Sequence, residues 1–299
     1  MKRTLVSFVS VIFAMIVFAL FSNPVYAEGG FPIAENLELQ TYRNVSVEGR
    51  LSGFDPDGET LQFVISTEPV KGEIDLKEDG HFVYTPRDGK RGRDYFGYRV
   101  VDTEGNCSQE ATVIIRIEKQ KKNVFYSDLA GDGLEYAALA LAEHGIFTGE
   151  QIGGAYVFSA EKPLTRAEIL HMCVQLSSDP AVVGVLHTGY ADAALIPAWA
   201  KTDAVTAEMY GIYRGMPDDA AFSFRGGEPI LFTEAAMMLN QCLKLTDTVP
   251  YTEEDAPQAI RAWTNLEHHG IVESLPLDDE ILTRGQAARM LCAAIAFSN

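Results

Sequence analysis

The pattern of apolar and polar residues divides the chain near residue 120. From Phe31 to about Glu118, apolar and polar residues alternate in short runs that turn residues interrupt. Alternation with a period of two is typical of strands that bury one face. The pattern predicts seven strands, at Leu37–Tyr42, Val45–Leu51, Leu61–Ser66, Glu73–Lys77, His81–Tyr84, Tyr95–Asp102 and Thr112–Ile117. Many short strands close together favour an all-β, Greek-key sandwich over residues 28–118.

Beyond a polar linker at residues 119–123, the apolar residues follow the i, i+3, i+4, i+7 spacing of one buried helix face. This spacing occurs three times, at Ile169, Met172, Cys173 and Leu176, at Ala235, Met238, Leu239 and Cys242, and at Ala287, Met290, Leu291 and Ala294. Cys173 aligns with Leu239 of the second copy, and Cys242 aligns with Leu176 of the first, so the same position accepts leucine or cysteine. Cys173 and Cys242 are therefore expected to be buried free thiols.

The three segments belong to an internal repeat. Four landmarks recur after 66 residues, with Gly145, Gly149, Pro163 and Glu168 returning as Gly211, Gly215, Pro229 and Glu234. A shorter third copy contains Gly270 and Gln286 at the corresponding places. A shared offset predicts repeated units, here three helix–loop–helix repeats at residues 124–186, 187–249 and 250–299. In each, a glycine followed by isoleucine is expected to end the first helix.

The start of the second helix contains a cation in an unfavourable place. In "LTRAE" (164–168), Thr165 and Glu168 form a capping box, which leaves Arg166 in the first turn. A cation at a helix N-terminus costs about 0.3–1 kcal/mol, so removing Arg166 is expected to leave stability nearly unchanged. Arg284 occupies the same place in the third copy. Only nine Lys and Arg occur from residue 123 onward, against 24 Asp and Glu, and two at one motif position favour a role in binding.

The first 27 residues have the features of a secretory signal peptide. Lys2 and Arg3 precede an apolar run from Leu5 to Phe21, and small residues end at Ala27. An uncleaved membrane anchor is the alternative; after cleavage, no membrane span is expected. The net charge of −18 excludes nucleic acid and anionic membranes as partners held by bulk attraction. An anionic partner must instead be held by a few placed cations.

The sandwich segment resembles the bacterial immunoglobulin-like and cadherin-like repeats of surface proteins. The resemblance rests on "LSGFDPDGETLQFVI" (51–65), "EPVKGEIDL" (68–76), "GHFVYTP" (80–86) and "GRDYFGYRVVDTEGN" (92–106). It implies a fold and says little about activity. Relatives place acidic residues at such turns, so Asp55, Asp57 and Asp102 are candidate Ca²⁺ ligands, with plain turn chemistry as the alternative.

The repeats are similar to S-layer homology domains. The first copy has "YSD" (126–128), "GIFTG" (145–149) and "LTRAE" (164–168), and the second has "YAD" (190–192) and "GIYRG" (211–215) but departs at "ILFTE" (230–234). The shortened third has "GIVES" (270–274) and "LTRGQ" (282–286). The resemblance implies a pseudo-threefold bundle whose grooves bind secondary cell-wall polysaccharide, often pyruvylated, through the motif arginine.

Carried onto this chain, the resemblance predicts a set of polymer-binding residues comprising Arg166, Arg284, Thr165, Glu168, Asp128, Gly149, Asp192 and Gly215. The second copy has Phe232 in the arginine position, and its groove is expected to be inactive or altered. No cofactor is expected beyond possible Ca²⁺ in the sandwich.

The expected function is a non-catalytic, secreted cell-wall protein that its repeats anchor and its sandwich displays or uses for adhesion. One alternative is a calcium-dependent adhesin in which the sandwich is the active part. The other is an exported glycan-acting enzyme with a carboxylate pair. The candidate carboxylates, Asp218-Asp219 and those at 278–280, are neighbours in sequence, whereas glycosidase carboxylates face each other across a cleft.

The signal peptide prediction has a direct test. We expect the mature chain to begin at Glu28, because signal peptidase cleaves after a small residue such as Ala27. N-terminal sequencing or intact-mass spectrometry of the protein recovered from cells measures this. An intact Met1 in the membrane pellet would show that the segment is an anchor.

Overall fold

The computed structural model describes residues 30–177, 179, 181–184, 187–218, 221–246, 257–273 and 280–298. The predicted signal peptide lies outside these ranges. The N-terminal part has nine strands, β1 Ile33–Ala34, β2 Leu37–Tyr42, β3 Val47–Arg50, β4 Gly53–Phe54, β5 Gln62–Thr67, β6 Gly72–Leu76, β7 His81–Pro86, β8 Gly92–Val101 and β9 Ala111–Glu118. All seven predicted strands are present, and each begins and ends within three residues of its predicted bounds. The two-residue pair β1 and β4 was not predicted, because two residues are too short to show alternation.

Two sheets face each other across an apolar core. One sheet has the order β2-β9-β8-β5, with β2 parallel to β9, and the other has the order β3-β7-β6. The alternating inward side chains include four fully buried aromatic residues, Phe82, Tyr84, Phe96 and Tyr98. Both tyrosine hydroxyls have partners, since Tyr84 donates to Asp94 and Tyr98 donates to main-chain carbonyls. The N-terminal part is therefore the all-β sandwich that the alternation predicts.

The C-terminal part has six helices within the described residues. They are α1 Glu135–His144, α2 Arg166–Leu176, α3 Lys201–Met209, α4 Phe232–Cys242, α5 Gln258–His268 and α6 Arg284–Ser298. The predicted apolar stripes lie on α2, α4 and α6, and every stripe residue except the half-buried Leu176 is buried. Cys173 and Cys242 are buried free thiols, as predicted. Among the described helices, none combines the length and apolar character needed to cross a membrane.

The C-terminal part is not all-α, which corrects the prediction. Two short hairpins lie between the helices, one pairing β10 Glu150–Ile152 with β11 Ala155–Val157 and the other pairing β12 Met216–Asp218 with β13 Ala221–Ser223. In the first hairpin, Gly153 and Gly154 form the two-residue turn and both have positive φ. Two consecutive glycines are a known hairpin signal, which the helical pattern on either side concealed.

The three copies end their first helices in the same way. In each, the isoleucine N–H donates to the carbonyl five residues back and the preceding glycine N–H donates to the carbonyl three residues back, in a Schellman motif at Ile146, Ile212 and Ile271. All three isoleucines are buried, and their glycines have φ between 66° and 76°. The glycine–isoleucine prediction is confirmed in every copy.

The segments that precede α2, α4 and α6 meet in a closed ring of backbone hydrogen bonds. Leu164 N–H donates to the Leu282 carbonyl (2.9 Å), Leu282 N–H to Ile230 (2.9 Å) and Ile230 N–H to Leu164 (3.0 Å). The three side chains are fully buried. Because these residues are equivalent in the repeat, each copy contacts both of the others through the same atoms.

Capping boxes start two of these helices. Thr165 accepts from Glu168 N–H (3.3 Å), and Glu168 accepts from Thr165 N–H (2.8 Å). Thr283 and Gln286 make the same pair of bonds at α6. At α4 only the reciprocal bond from Leu231 N–H to Glu234 remains, because leucine has no accepting side chain.

We expect Thr165→Ala to lower the free energy of unfolding by about 0.5–2 kcal/mol, because the N–H of Glu168 loses its acceptor. Thr165→Ser keeps the hydroxyl and serves as the control. Urea denaturation of the full chain measures both variants. Equal losses for Ala and Ser would assign the effect to the threonine methyl group instead of the cap.

Candidate functional site

Arg166 lies between the first and second repeats with its guanidinium bound by protein groups. The residue is 3% exposed. Its Nη2 donates to both carboxylate oxygens of Glu234 (3.0 and 3.1 Å), and its Nη1 donates to the Arg225 carbonyl (2.7 Å). An exposed carboxylate, Glu228, lies 3.6 Å from Nη1. Glu234 is the N3 residue of α4, so one carboxylate caps its own helix and binds the neighbouring repeat.

Arg284 makes the equivalent contacts between the third and first repeats. Its Nη1 donates to the Phe158 carbonyl (3.1 Å) and its Nη2 to Glu150 (2.8 Å), and Glu168 lies 3.8 Å from Nη2. The guanidinium carbon lies 5.1 Å from the centre of the Phe147 ring, in cation–π geometry. Arg284 is also 3% exposed. Each motif arginine therefore pairs with the N3 glutamate of the next repeat.

The contact between the second and third repeats has neither charge. Phe232 replaces the arginine and packs against Trp263 with ring centres 6.0 Å apart. Gln286 replaces the N3 glutamate. The cation and its carboxylate partner are thus absent from the same contact. If the pair is structural, the two charges must be lost together, because a buried glutamate without its arginine would be an unpaired charge.

The structure contradicts the premise on which Arg166 was expected to contribute little to stability. That premise treated the arginine as a cation facing solvent at a helix N-terminus, but Arg166 is buried and bonded across two repeats. Sequence alone did not identify Glu234 as the partner of Arg166 or Glu150 as the partner of Arg284, because pairing between repeats depends on how the ring orients them. The available signal was that Glu234 occupies the capping position that Glu168 occupies in the first copy.

The two predicted aspartates shape the turns that bind the arginines. Asp128 accepts from the N–H groups of Phe158 (3.0 Å) and Ser159 (2.7 Å). Asp192 accepts from the N–H groups of Phe224 (2.7 Å) and Arg225 (2.8 Å). Ser159 and Arg225 both have positive φ, which few residues other than glycine adopt. Each aspartate thus holds a strained turn whose carbonyl receives an arginine.

The two predicted glycines have a backbone role. Gly149 has φ of 72°, and a Cβ there would lie 2.6 Å from the Val157 carbonyl oxygen. Gly215 has φ of 89°, and its Cβ would lie 2.8 Å from the Tyr190 ring. Both glycines begin the hairpins. A side chain at either position would clash with these neighbours. Glycine therefore lets the first strand of each hairpin, β10 or β12, begin in close contact with them.

Electrostatics support the ion pairs at Glu150. Hydrogen bonds from Lys162 and then Arg284 lower the pKa of the Glu150 carboxyl below its usual value. Glu150 is therefore ionised at neutral pH. Its side chain is 45% exposed, in contrast to Glu234 at 11%. Each arginine thus has a solvent-accessible carboxylate partner as well as its N3 glutamate.

The three candidate Ca²⁺ ligands lie in hydrogen-bonded turns. Asp55 Oδ1 accepts from the Asp57 N–H (2.8 Å), Asp57 accepts from the Gly30 N–H, and Asp102 accepts from the Asn106 N–H. The second oxygen of Asp55 is buried and has no hydrogen-bond partner. Within the described residues, no group of three His, Cys, Asp or Glu side chains is arranged to hold a metal. Of the carboxylates proposed for an enzyme, those at 219, 278 and 279 lie outside the described ranges.

The comparisons with known proteins identify the N-terminal part. Residues 23–119 match the family profile of the bacterial cadherin-like domain. The chain therefore contains a cadherin-like, immunoglobulin-like domain there, followed by the helical region. The comparison with curated proteins gave no match.

Several solved structures are similar to part of the chain. An endo-fucoidan hydrolase of glycoside hydrolase family 107 has 16% identity over 32% of this chain and 14% of its own, with a TM-score of 0.26. The SrpA adhesin of Streptococcus sanguinis has 19% identity over 33% of this chain and 64% of its own, with a TM-score of 0.25. The D00-D0 domain of intimin has 13% identity over 31% and 50%, with a TM-score of 0.24. The matches cover a third of this chain and carry no conclusion about its activity.

We expect Arg166→Met to lower the free energy of unfolding by about 3–5 kcal/mol, because it leaves the Glu234 carboxylate buried without a partner. The double variant Arg166→Met with Glu234→Gln removes both charges, as the third contact does naturally, and should recover most of that loss. Urea denaturation of the single and double variants measures the coupling. A single variant as stable as the wild type would mean that the pair does not hold the repeats together.

Proposed function

We propose that this is a non-catalytic cell-surface protein whose helical region consists of three S-layer homology repeats that bind acidic secondary cell-wall polysaccharide. The cadherin-like domain would be the displayed or adhesive part, and the signal peptide would export the chain. The observation that carries the proposal is the closed ring at Leu164, Ile230 and Leu282. It arranges three copies of one sequence motif around a common point, so that two buried arginines occupy equivalent surfaces between repeats.

Each arginine has one carboxylate that a ligand could replace. Glu228 beside Arg166 and Glu150 beside Arg284 are 56% and 45% exposed, whereas the N3 glutamates are more buried. The Nε atoms of both arginines are buried and have no hydrogen-bond partner. An acidic sugar at the surface could take the place of the exposed carboxylate and bind the guanidinium nitrogen that this carboxylate faces, Nη1 of Arg166 or Nη2 of Arg284. The protein would then hold its binding cations in position with its own carboxylates.

Replacement of a protein carboxylate by a ligand carboxylate also fits the net charge of the chain. A protein with a net charge of −18 repels an anionic polymer at long range, so binding requires local cations that are already oriented. The N3 glutamates orient the two arginines at no cost in side-chain entropy on binding, since both arginines are already ordered.

The calcium-dependent adhesin remains a second candidate for the sandwich. The unpartnered oxygen of Asp55 favours it, because a buried carboxylate oxygen without a partner is costly unless an ion or water satisfies it. Ca²⁺ would be expected to raise the melting temperature of the wild type and to leave that of Asp55→Asn unchanged.

We expect Arg166→Met with Glu234→Gln, together with Arg284→Met, to abolish co-sedimentation with purified cell walls, because both placed cations are lost. Glu228→Gln should strengthen co-sedimentation, since it removes a carboxylate that competes with the polymer. Lys90→Met, which removes an exposed cation from the sandwich, is the control for bulk charge. Binding is compared only among variants that melt cooperatively at the assay temperature.

Two outcomes would contradict the proposal. Wall binding by the charge-depleted variant equal to that of the wild type would exclude the arginines as the anchor. An equal loss caused by Lys90→Met would mean that net charge alone determines sedimentation.

A further inference from the structure

The sandwich and the helical repeats share an apolar contact. Tyr42 and Val45, which flank the turn between β2 and β3, are buried in the hydrophobic cluster of the helical part. The Tyr42 ring lies 5.4 Å from the Tyr136 ring of α1. Side chains of one domain in the core of the other indicate a fixed orientation, because separating the domains would expose them to water.

The backbone before α1 approaches the sandwich closely. A Cβ at Gly133 would lie 2.9 Å from the Cβ of Glu48 and 3.3 Å from a methyl group of Val83. Glu135, at the start of α1, is also buried, and its carboxylate accepts from the Gly131 N–H (3.3 Å). Burial raises the pKa of this carboxyl. The glycine at position 133 allows this close approach of the backbone to the sandwich.

Ion pairs surround the apolar contact. Arg289 of α6 binds both oxygens of Glu48 on β3, at 2.5 and 3.1 Å. Glu273, which follows α5, lies 3.4 Å from the His81 ring and 3.9 Å from Arg50. In both places a cation and an anion come from different domains. The pairs are exposed, so their main effect is to select the orientation and not to add large stability.

The third contact between repeats opens toward the sandwich. A cleft of about 1250 Å³ is lined on one side by Phe232, Trp263 and Gln286 of the repeats. Its other side is formed by sandwich residues that include Arg50 and His81. The surface equivalent to the Arg166 and Arg284 surfaces therefore faces the sandwich. Arg50 of the sandwich and Arg289 of α6 both line this cleft, whereas the motif position of the second repeat holds Phe232.

We propose that the third inter-repeat surface holds the sandwich in place and does not bind polymer, so that the cadherin-like domain projects from the repeats in one fixed orientation. The docking half of this inference depends only on the contacts above. The statement about polymer rests on the proposed function. Loss of both charges at Phe232 and Gln286 follows from it, since a surface covered by a domain with its own cations gains nothing from a further arginine.

Charge reversal at the interface tests the docking. We expect Glu48→Arg to place a cation against Arg289 and to increase trypsin cleavage of the linker after Lys119 and Lys121 by roughly tenfold, since like charges in contact favour separation. The swap Glu48→Arg with Arg289→Glu should restore the cleavage rate of the wild type. Glu73→Arg, which breaks the Glu73–Arg87 pair inside the sandwich, changes the charge equally and is the control.

Gly133→Leu provides a second variant that acts sterically. Its side chain would meet Glu48 and Val83, so cleavage should rise as it does for Glu48→Arg. Calorimetry should show one transition for the wild type and two for the separated variants. Unchanged cleavage in both Glu48→Arg and Gly133→Leu, or two transitions in the wild type, would overturn the docking.

Wall co-sedimentation tests the polymer half separately. Glu48→Arg should bind walls to the same extent as Glu73→Arg, because exposing the third surface adds no binding site. Stronger binding by Glu48→Arg than by the control would show that the sandwich blocks a working site. If neither variant nor the wild type binds walls, the anchoring function fails, while the cleavage and calorimetry results still decide the docking.

Discussion

The ring of hydrogen bonds at Leu164, Ile230 and Leu282 is the constraint on which the helical part depends. Every helix that follows the ring begins at a fixed distance from it, so the capping residues of one repeat lie beside the motif arginine of another. Capping by Glu168 and Glu234 is a local property of the sequence. Pairing with arginine becomes possible only because the ring sets the three helix starts side by side.

The arginine–glutamate pairs explain why a cation is tolerated at the start of a helix. The dipole disfavours Arg166 by about 0.3–1 kcal/mol, but its buried pair with Glu234 makes its removal far more costly. The side chain leaves its own helix and neutralises the glutamate at the start of the next. In the third contact, Phe232 and Gln286 replace both charged groups, so no buried charge is left without a partner there.

Sequence periodicity was sufficient for the local structure and insufficient for the site. The seven strands, the buried stripes, the glycine–isoleucine helix ends and the capping boxes all depend on neighbours within a few residues, and the structure contains each of them. The partner of Arg166 lies 68 residues away, and nothing local specifies it. The roles of Asp128 and Asp192 were likewise hidden, because each binds backbone N–H groups about 30 residues further on. The two short hairpins of the helical part were not predicted for a different reason, since three-residue strands are too short to show alternation.

The same balance of charges connects stability with binding. Pairing that orients an arginine also occupies it, so a site of this kind can bind an anion only where one of the paired carboxylates is exposed enough to be displaced. Glu228 and Glu150 meet that condition, and the third contact has no motif arginine, because Phe232 stands in its place. The sandwich forms the opposite wall of the cleft at this third surface, so the one contact without the charged pair is also the one that faces another domain. Under the proposed function, a repeat without the charged pair can persist by taking a structural partner, and the fixed projection of the cadherin-like domain would follow from that loss.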